Sequence, residues 1–399
     1  MMRPQFHILI SLGILCFVGC APRPQPKVEP VPLTRPAFDP STVSKEIATL
    51  TQSVKADPQG AIAFGMLSRA YLKAYRQTGD IQQAVLAEQS ARKSLSLRTR
   101  RNETAYLRLA QSQIAQHQFA EAMASAKKAL ALLPNFQEAG LLVSEIALEQ
   151  GDYLSAETYW RKYKPTPSTP TSKALEARML WINGAPEKAL STYQEALAAV
   201  EVSASVENET LAWFYGKTGE CFENTGKAVE AEAHYQKALA LFPTDYRILN
   251  AMTRLKATQK DWQGVLEWGK RSAAVIPSPD TLGYLGDAYI ALGDKAQAER
   301  QYALLDNMSR FAQSMGNTYD RQRALFLADH DRHLKEALRL AQAELKIRQD
   351  VYAYDTLAWC LFKSGRIQEA KAALKKAMAR GTKEPRFLAH AALIEGKAP

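Results

Sequence analysis

The sequence predicts an all-α protein built from a repeated helical unit. Small residues precede hydrophobic helical runs at a steady interval, and no clear strand pattern is present. Hydrophobic residues make up 46% of the chain and charged residues 23%, a balance that allows a buried core and argues against wholesale disorder. The 399 residues suit two or three domains or one long repeat array. The net charge of +10 is a mild bias that does not by itself indicate nucleic-acid binding.

A small residue, seven times alanine and once valine, marks each repeat at the same place in a helical run. The spacings between successive markers are 34, 33, 42, 34, 33, 39 and 33 residues. Five of these seven lie within one residue of 34, the period typical of tetratricopeptide arrays. The markers are Ala122, Ala156, Ala189, Ala231, Val265, Ala298, Ala337 and Ala370.

A second pattern runs through the repeats. A first helix carries large, apolar, small and aromatic residues, and a second helix carries alanine followed by an aromatic residue. One such unit contains Leu282, Leu285, Gly286, Tyr289, Gly293, Ala298 and Tyr302. In these residues the chain resembles the tetratricopeptide-repeat (TPR) family, over residues 57–396. The resemblance implies a right-handed α-solenoid of about nine TPR helix pairs with a C-terminal capping helix.

Five glycines are expected at turns between the two helices of a repeat, where a residue with positive φ ends the first helix. They are Gly151, Gly184, Gly226, Gly293 and Gly365. Two stretched joins between repeats, at 200–211 and 308–318, are predicted to be hinges or loops. The predicted solenoid covers 41–399, with an irregular first repeat, regular repeats and the cap helix at 57–101, 103–383 and 384–396.

The first 19 residues have the features of a signal peptide. Arg3 precedes an apolar run at 8–18 that is shorter than the ~20 residues needed to span a bilayer. The segment 17–20, which ends at Cys20, resembles the lipobox of bacterial lipoproteins. The resemblance implies cleavage before Cys20 and lipidation of its thiol. An ordinary signal peptide cleaved elsewhere and a cytoplasmic protein remain alternatives.

The residues after Cys20 suggest a spacer. Seven of the residues at 21–40 are proline, which favours an extended polyproline II chain. At about 3.1 Å per residue, this stretch would reach roughly 60 Å and could hold a folded body off a membrane. A leader without a role fits the same residues. By resemblance to lipoproteins, Ala21 implies the outer membrane of a bacterial cell envelope, facing the periplasm.

No catalytic motif is present in the sequence. It contains no G-x-S-x-G elbow, P-loop, H-E-x-x-H pair or dinucleotide-binding glycine signature. We therefore expect neither enzymatic activity nor a cofactor. The glutamates are expected at exposed helical positions, which would leave no carboxylate pair for glycoside cleavage.

Two further residue groups have ordinary structural interpretations. The acidic and histidine-rich segment 329–333 falls at a predicted turn between helices, so a solvated turn is expected rather than a metal site. His117 is expected at a similar turn. Cys221 and Cys360 take places where the TPR family usually has alanine, so both are expected to be small buried residues without a disulfide.

The inner groove of the expected solenoid is the candidate functional site. In the TPR family the first helix of each repeat lines a concave surface, and Trp, Tyr and Arg are frequent hot-spot residues. The groove is not expected to hold the Lys/Asn carboxylate clamp of chaperone-binding relatives. Candidate partner-binding residues are Trp181, Trp213, Arg247, Arg254, Tyr284, Arg323, Tyr352 and Trp359.

These features together predict a membrane-anchored TPR scaffold. Its groove would accept an extended peptide or a helix of a protein partner, in the assembly of a cell-envelope complex. No nucleic-acid partner is expected. One alternative is a cell-wall or polysaccharide-associated factor that uses the basic stripe of Lys371, Lys375, Lys376 and Arg380. The other alternative is a cytoplasmic TPR scaffold.

Overall fold

The structure is a computed structural model that describes residues 35–314 and 321–396. Within these ranges the chain forms twenty helices and no strand, so the predicted all-α fold is confirmed. Cys20, the signal peptide and most of the proline-rich spacer lie outside the described residues. Among the described helices, none combines the length and the apolar character that crossing a bilayer requires.

The helices follow one another with short connections. Their bounds are α1 Ser41–Ala56, α2 Ala61–Thr78, α3 Ile81–Leu97, α4 Glu103–Ala115, α5 Phe119–Leu132, α6 Gln137–Gln150, α7 Tyr153–Tyr163, α8 Pro170–Ile182, α9 Pro186–Glu201, α10 Asn208–Asn224, α11 Ala228–Leu241, α12 Tyr246–Thr258, α13 Trp262–Val275, α14 Pro279–Ala291, α15 Lys295–Ser314, α16 Arg321–Asp329, α17 Leu334–Glu344, α18 Val351–Lys363, α19 Ile367–Ala377 and α20 Pro385–Glu395.

The helices from α2 to α19 pack as nine consecutive pairs, here numbered from pair 1 (α2 and α3) to pair 9 (α18 and α19). The predicted TPR solenoid is thereby confirmed, and α20 follows the last pair as a single helix. First helices of neighbouring pairs touch one another, whereas second helices mainly touch their own partner and the next first helix. The first helices therefore form the concave side of the array, which we call the inner face.

Within a pair, an aromatic ring of the second helix lies over a glycine of the first. A Cβ on Gly219 would lie 2.6 Å from the ring of Tyr235, and one on Gly286 would overlap the ring of Tyr302. The eight repeat markers are fully buried at the same contact between helices. The small residues of the repeat pattern therefore allow the two helices to approach closely, and the aromatic rings fill the remaining space.

Each pair has a residue with positive φ at the turn between its helices, and the turn of pair 8 has a second one, His333. The five predicted glycines all have this conformation, which confirms their assignment. In order from pair 1 to pair 9, the turn residues are Gly79, His117, Gly151, Gly184, Gly226, Lys260, Gly293, Asp331 and Gly365. The repeat therefore requires the left-handed conformation at this position more strictly than it requires glycine.

The two stretched joins differ in structure. The first is a loop between α9 and α10, and the Arg35 guanidinium donates to its carbonyl oxygens, at 3.0 Å for Val200 and 2.9 Å for both Glu201 and Ser203. In the second join, α15 continues to Ser314, and the rest of the join up to Arg321 lies outside the described residues. Arg35 also donates to the Val206 carbonyl oxygen at 3.4 Å, so the first join is a loop that four hydrogen bonds of Arg35 hold in place.

The two cysteines in the described ranges are buried and have free thiols, as predicted. Cys221 is 5% exposed and Cys360 is not exposed at all. Burial raises the pKa of each thiol to about 12, so both are protonated at neutral pH. They act as small apolar residues of the helix contacts rather than as reactive groups.

Candidate functional site

The turns of early pairs lie against loops that follow pairs five places further along the chain. Gly184, in the turn of pair 4, faces the backbone of Gly381 after pair 9. Gly151, in the turn of pair 3, faces Gln349 after pair 8. At both places an added Cβ would overlap a backbone carbonyl oxygen. We call this contact, between the turns of pairs 3 and 4 and the loops after pairs 8 and 9, the early–late interface.

A shared carboxylate links the two sides of the early–late interface. Glu149, at the end of α6, accepts hydrogen bonds from Arg178 of α8 at 2.6 Å and from Arg348 of the late loop at 3.0 Å. Burial by itself would raise the pKa of Glu149, but the charges of Arg178 and Arg348 lower it to about 2. Glu149 is therefore ionised at neutral pH, and it holds the late loop against the early pairs.

Pair 4 is also fixed to the residues after pair 9 by polar and apolar side chains. Trp181 donates its indole N–H to Glu384 at 2.7 Å, and Arg380 donates to the Asn183 amide oxygen at 2.6 and 2.9 Å. Phe387 of α20 is fully buried in an apolar cluster that includes residues of α6 and α8. Buried apolar side chains and charged hydrogen bonds therefore both hold pair 4 against the residues that follow pair 9.

The eight candidate partner-binding residues are less exposed than surface hot spots usually are. Trp181, Arg323 and Trp359 are buried, and the other five are half-buried: Trp213, Arg247, Arg254, Tyr284 and Tyr352. Their inward position on first helices agrees with the repeat pattern. Their low exposure arises because the inner face meets other parts of the same chain.

Several of these residues have partners within the chain. Arg254 makes two hydrogen bonds of 2.8 Å to Glu223, and Arg247 makes two of 2.9 Å to Asp245 at the start of its own helix. Burial lowers the pKa of the Arg254 guanidinium less than its bond and attraction to Glu223 raise it, so the net shift is upward. The Arg254 guanidinium is therefore charged and already forms an ion pair with Glu223.

The remaining candidates have partners in different parts of the chain. Trp181 and Tyr352 lie at the early–late interface, where the Tyr352 ring packs edge-on against Phe387. Arg323 pairs with two carboxylates at 3.2 Å, far along the chain in pairs 7 and 8. Trp359 donates to Asp329 at 2.7 Å. The structure therefore places Trp181, Arg254 and Tyr352 around Glu384 and gives Arg323 and Trp359 other partners, and the contact of the eight residues with a partner remains a prediction.

The segment 329–333 forms the turn of pair 8, as predicted, but its first four residues make contacts beyond the turn, including Asp331 with Lys363 and Arg332 with Glu299. Asp329 accepts the bond from Trp359, and His330 lies 2.6 Å from the Asp287 carboxylate. Burial lowers the pKa of His330, but the hydrogen bond to Asp287 and the negative charge of Asp287, with smaller contributions from Phe326 and Asp329, raise it overall. Within the described ranges, no group of three or more His, Cys, Asp or Glu lies together as a metal ion would require.

The expectation that the glutamates are exposed is wrong at several positions. Glu344 is fully buried and accepts from Arg348 at 2.8 Å. Glu209 is 7% exposed and accepts from Arg76 at 3.0 Å and from Gln77 at 3.2 Å. The partners of Glu209 lie more than a hundred residues away in the chain, so helical periodicity could not reveal this burial.

An open groove lies on pairs 1 and 2, away from the early–late interface. It has a volume of about 350 Å³, and four of its lining residues are arginines while none is acidic. We call it the N-terminal groove; its lining is Ile62, Gly65, Met66, Arg69, Ser94, Arg98, Arg101, Asn102, Thr104 and Arg108. Burial, and then the charges of Arg69 and Arg76, lower the pKa of Arg108. This groove therefore concentrates positive charge.

Sequence reasoning did not identify the N-terminal groove. The signal that could have found it is the run Arg98-Thr99-Arg100-Arg101, with three arginines in four residues between α3 and α4. The contribution of α2 could not be anticipated from this run, because it depends on how pair 1 packs against pair 2. None of the eight candidate residues lines this groove.

Comparison with known proteins supports the repeat assignment. A family model described as "Tetratricopeptide repeat" matches residues 107–172, and a second with the same description matches residues 351–380. A search of curated proteins gave no match.

Among solved structures, the human IFIT1 dimer with PPP-AAAA is similar, with 14% identity and a TM-score of 0.55 over 84% of this chain and 77% of that one. Pseudomonas aeruginosa pilF shares 15% identity over 52% of this chain and 91% of its own, with a TM-score of 0.41. A tetratricopeptide repeat protein from Parabacteroides merdae shares 16% identity over 59% and 88%, with a TM-score of 0.44. The likeness to IFIT1 supports the fold alone. With its two family matches and its nine stacked helix pairs, the chain is a tetratricopeptide-repeat protein.

Proposed function

We propose that this TPR protein is a membrane-anchored scaffold that binds a protein partner on its inner face during assembly of a cell-envelope complex. The observation that carries the proposal is the early–late interface, which fixes pairs 3 to 9 into one frame and leaves the N-terminal groove open. A preorganised surface loses little entropy when a partner binds, which suits a docking role. No step of this function needs a catalytic group.

The membrane anchor in this proposal is Cys20. Its support is the sequence alone: a short apolar run, the lipobox-like segment 17–20 and the proline-rich spacer. Two or more acyl chains on one cysteine would give stable attachment, whereas one chain would give marginal attachment. Metabolic labelling with palmitate tests it, because the wild type should carry label and Cys20→Ala should not. An unlabelled wild-type protein would remove the anchor from the proposal.

Partner binding is tested by photo-crosslinking in intact cells. A crosslinking amino acid is placed in turn at Thr104 in the N-terminal groove, at Trp213 and Tyr284 on the inner face, and at Val229. Val229 is 80% exposed on α11, a second helix, and serves as the matched control. We expect one protein adduct from at least one inner-face position and none from Val229. The scaffold proposal fails if no inner-face position gives a protein adduct that the control lacks.

A further inference from the structure

We infer that the N-terminal groove binds an acidic segment of a protein partner that also carries apolar side chains. This inference rests on the proposed scaffold function and specifies the chemistry of its partner. The lining of the groove contains four arginines and no carboxylate. Arginine is well suited to the role because its planar guanidinium can form paired hydrogen bonds to a carboxylate.

The four arginines of the groove have little negative charge to neutralise them. Arg69 pairs with Glu46 at 3.1 Å in an exposed contact, whereas Arg98 donates to a backbone oxygen and Arg108 donates to the Gln111 amide oxygen. Within the part of the chain that the structure describes, the Arg101 guanidinium has no ion-pair or hydrogen-bond partner. The charge of Glu138 also acts on Arg108, so Arg98 and Arg101 are the two guanidiniums most available to an external carboxylate.

The same side of α2 already binds carboxylates of this chain. One turn beyond Arg69, Lys73 pairs with Glu207 at 2.8 Å and Arg76 pairs with Glu209 at 3.0 Å. Glu207 and Glu209 belong to the acidic start of α10. The N-terminal groove continues this contact surface toward the start of α2, and there no acidic segment of the chain lines it. The internal contact thus shows what kind of segment this surface accepts.

The loop that carries Arg98 and Arg101 is held in one conformation. The buried Asn102 side chain donates to the Ser94 carbonyl oxygen at 3.2 Å and to the Arg98 carbonyl oxygen at 3.0 Å. Arg101 itself has a positive φ of 52°. The backbone of the loop is therefore ordered before binding, which lowers the entropy cost of presenting its arginines.

Apolar side chains in the groove distinguish between classes of anionic ligand. Ile62 is 66% exposed and Met66 is 44% exposed, one turn apart on α2 beside Arg69. A polyphosphate or an anionic glycan offers no side chain to cover them, whereas a peptide with leucine or isoleucine does. The concave shape also suits a chain segment better than a flat bilayer surface. These two features favour an acidic peptide over other polyanions.

The test measures binding of a fluorescein-labelled peptide of alternating Glu and Leu to the purified full-length protein by fluorescence anisotropy. The matched probes are a Glu–Ser peptide, a Lys–Leu peptide, inorganic polyphosphate and phosphatidylglycerol vesicles. We expect the Glu–Leu peptide to bind more tightly than every other probe. The double variant Arg98→Ala/Arg101→Ala should weaken this binding about tenfold or more. Lys371→Ala/Lys375→Ala removes the same charge from exposed positions on α19 and should leave binding unchanged.

Any of four results would overturn the inference, and the first three concern charge and ligand class. They are equal binding by the arginine double variant, equal binding of the Lys–Leu peptide, and preferential binding of polyphosphate or vesicles. The Glu–Ser peptide tests the apolar contribution, since equal affinity for it would reduce the site to a general anion site and contradict the proposed partner chemistry. A protein adduct from Trp213 or Tyr284 together with a failed peptide test would leave the scaffold function intact and remove this inference alone.

Discussion

Gly184 and Gly226 occupy the same place in neighbouring helix pairs, yet their surroundings differ completely. Both are turn residues with positive φ, 75° and 78°. The space where a Cβ would sit is filled by the Gly381 carbonyl at Gly184, while nothing lies within 4 Å of that position at Gly226. The turns of pairs 3 and 4 therefore have two requirements, a left-handed backbone and close approach to a late loop. The turn of pair 5 requires only the left-handed backbone.

Substitution of the two glycines should separate these requirements. Gly226→Ala introduces left-handed strain alone and should cost about 1 kcal/mol of stability. Gly184→Ala adds a backbone clash that can be relieved only by separating pair 4 from the late loop, and should cost about 3 kcal/mol in total. Urea unfolding followed by circular dichroism measures both losses. The midpoint is the quantity to compare, because a repeat array does not have to unfold in one step.

A small-angle scattering measurement provides the control for this prediction. Gly184→Ala should increase the radius of gyration, because the early–late interface opens, and Gly226→Ala should not. Equal destabilisation by the two substitutions, with unchanged dimensions, would show that the contact between Gly184 and Gly381 has no energetic consequence.

The next effect in size concerns the carboxylate shared across the interface. Glu149→Gln removes the negative charge between Arg178 and Arg348 and should cost about 2 kcal/mol, since Arg348 is buried and would keep an incompletely compensated charge. Glu157→Gln is the matched control, because Glu157 pairs with Arg161 at an exposed site. Exposed pairs of this kind contribute little, so the control should show no measurable change. Equal losses would refute the special role of Glu149.

The lowered pKa of Glu149 also predicts that the stability of the fold depends on pH in the acidic range. Its pKa falls from an ordinary value of 4.5 to about 2 in the folded protein. A carboxyl with a lowered pKa stabilises the fold above its unfolded pKa, and this stabilisation is lost as the pH falls through the folded pKa. The difference in melting temperature between wild type and Glu149→Gln should therefore be full above about pH 4.5 and shrink toward pH 2. A difference that stays constant over this window would contradict the assigned shift.

These contacts also show why some features followed from sequence and others did not. The repeat markers, the turn glycines and the buried cysteines follow from patterns within about 34 residues, because packing inside a pair and between neighbours is local. Trp181 and Glu384 are 203 residues apart, and their bond depends on how slight rotations between pairs accumulate along the array. A local sequence pattern does not specify this accumulated rotation. For the same reason the candidate residues could be placed on the inner face, but their internal partners could not be predicted.

The smallest predicted effects are the pKa shifts of two histidines, one in the turn of an early pair and one in the turn of a late pair. His117 forms the turn of pair 2, and His330 lies beside the turn of pair 8. Burial, and then the charge of Arg348 in a late loop, lower the pKa of His117 below its ordinary 6.5. Burial also lowers the pKa of His330, but the hydrogen bond to Asp287 and its charge raise the pKa of His330 above 6.5 overall. Titration of the two imidazole rings by NMR should show these opposite shifts.

Opening the interface should affect these two histidines differently. In Gly151→Ala the added Cβ would overlap the Gln349 backbone, so the late loop that carries Arg348 should move away and the pKa of His117 should rise toward 6.5. His330 should keep its raised pKa, because Asp287 lies in the neighbouring pair 7 and does not depend on the early pairs. Parallel changes at both rings would mean that the substitution loosens the whole array. A change at His117 alone would show that the early–late interface opens as a separate unit while the stacking between neighbouring pairs persists.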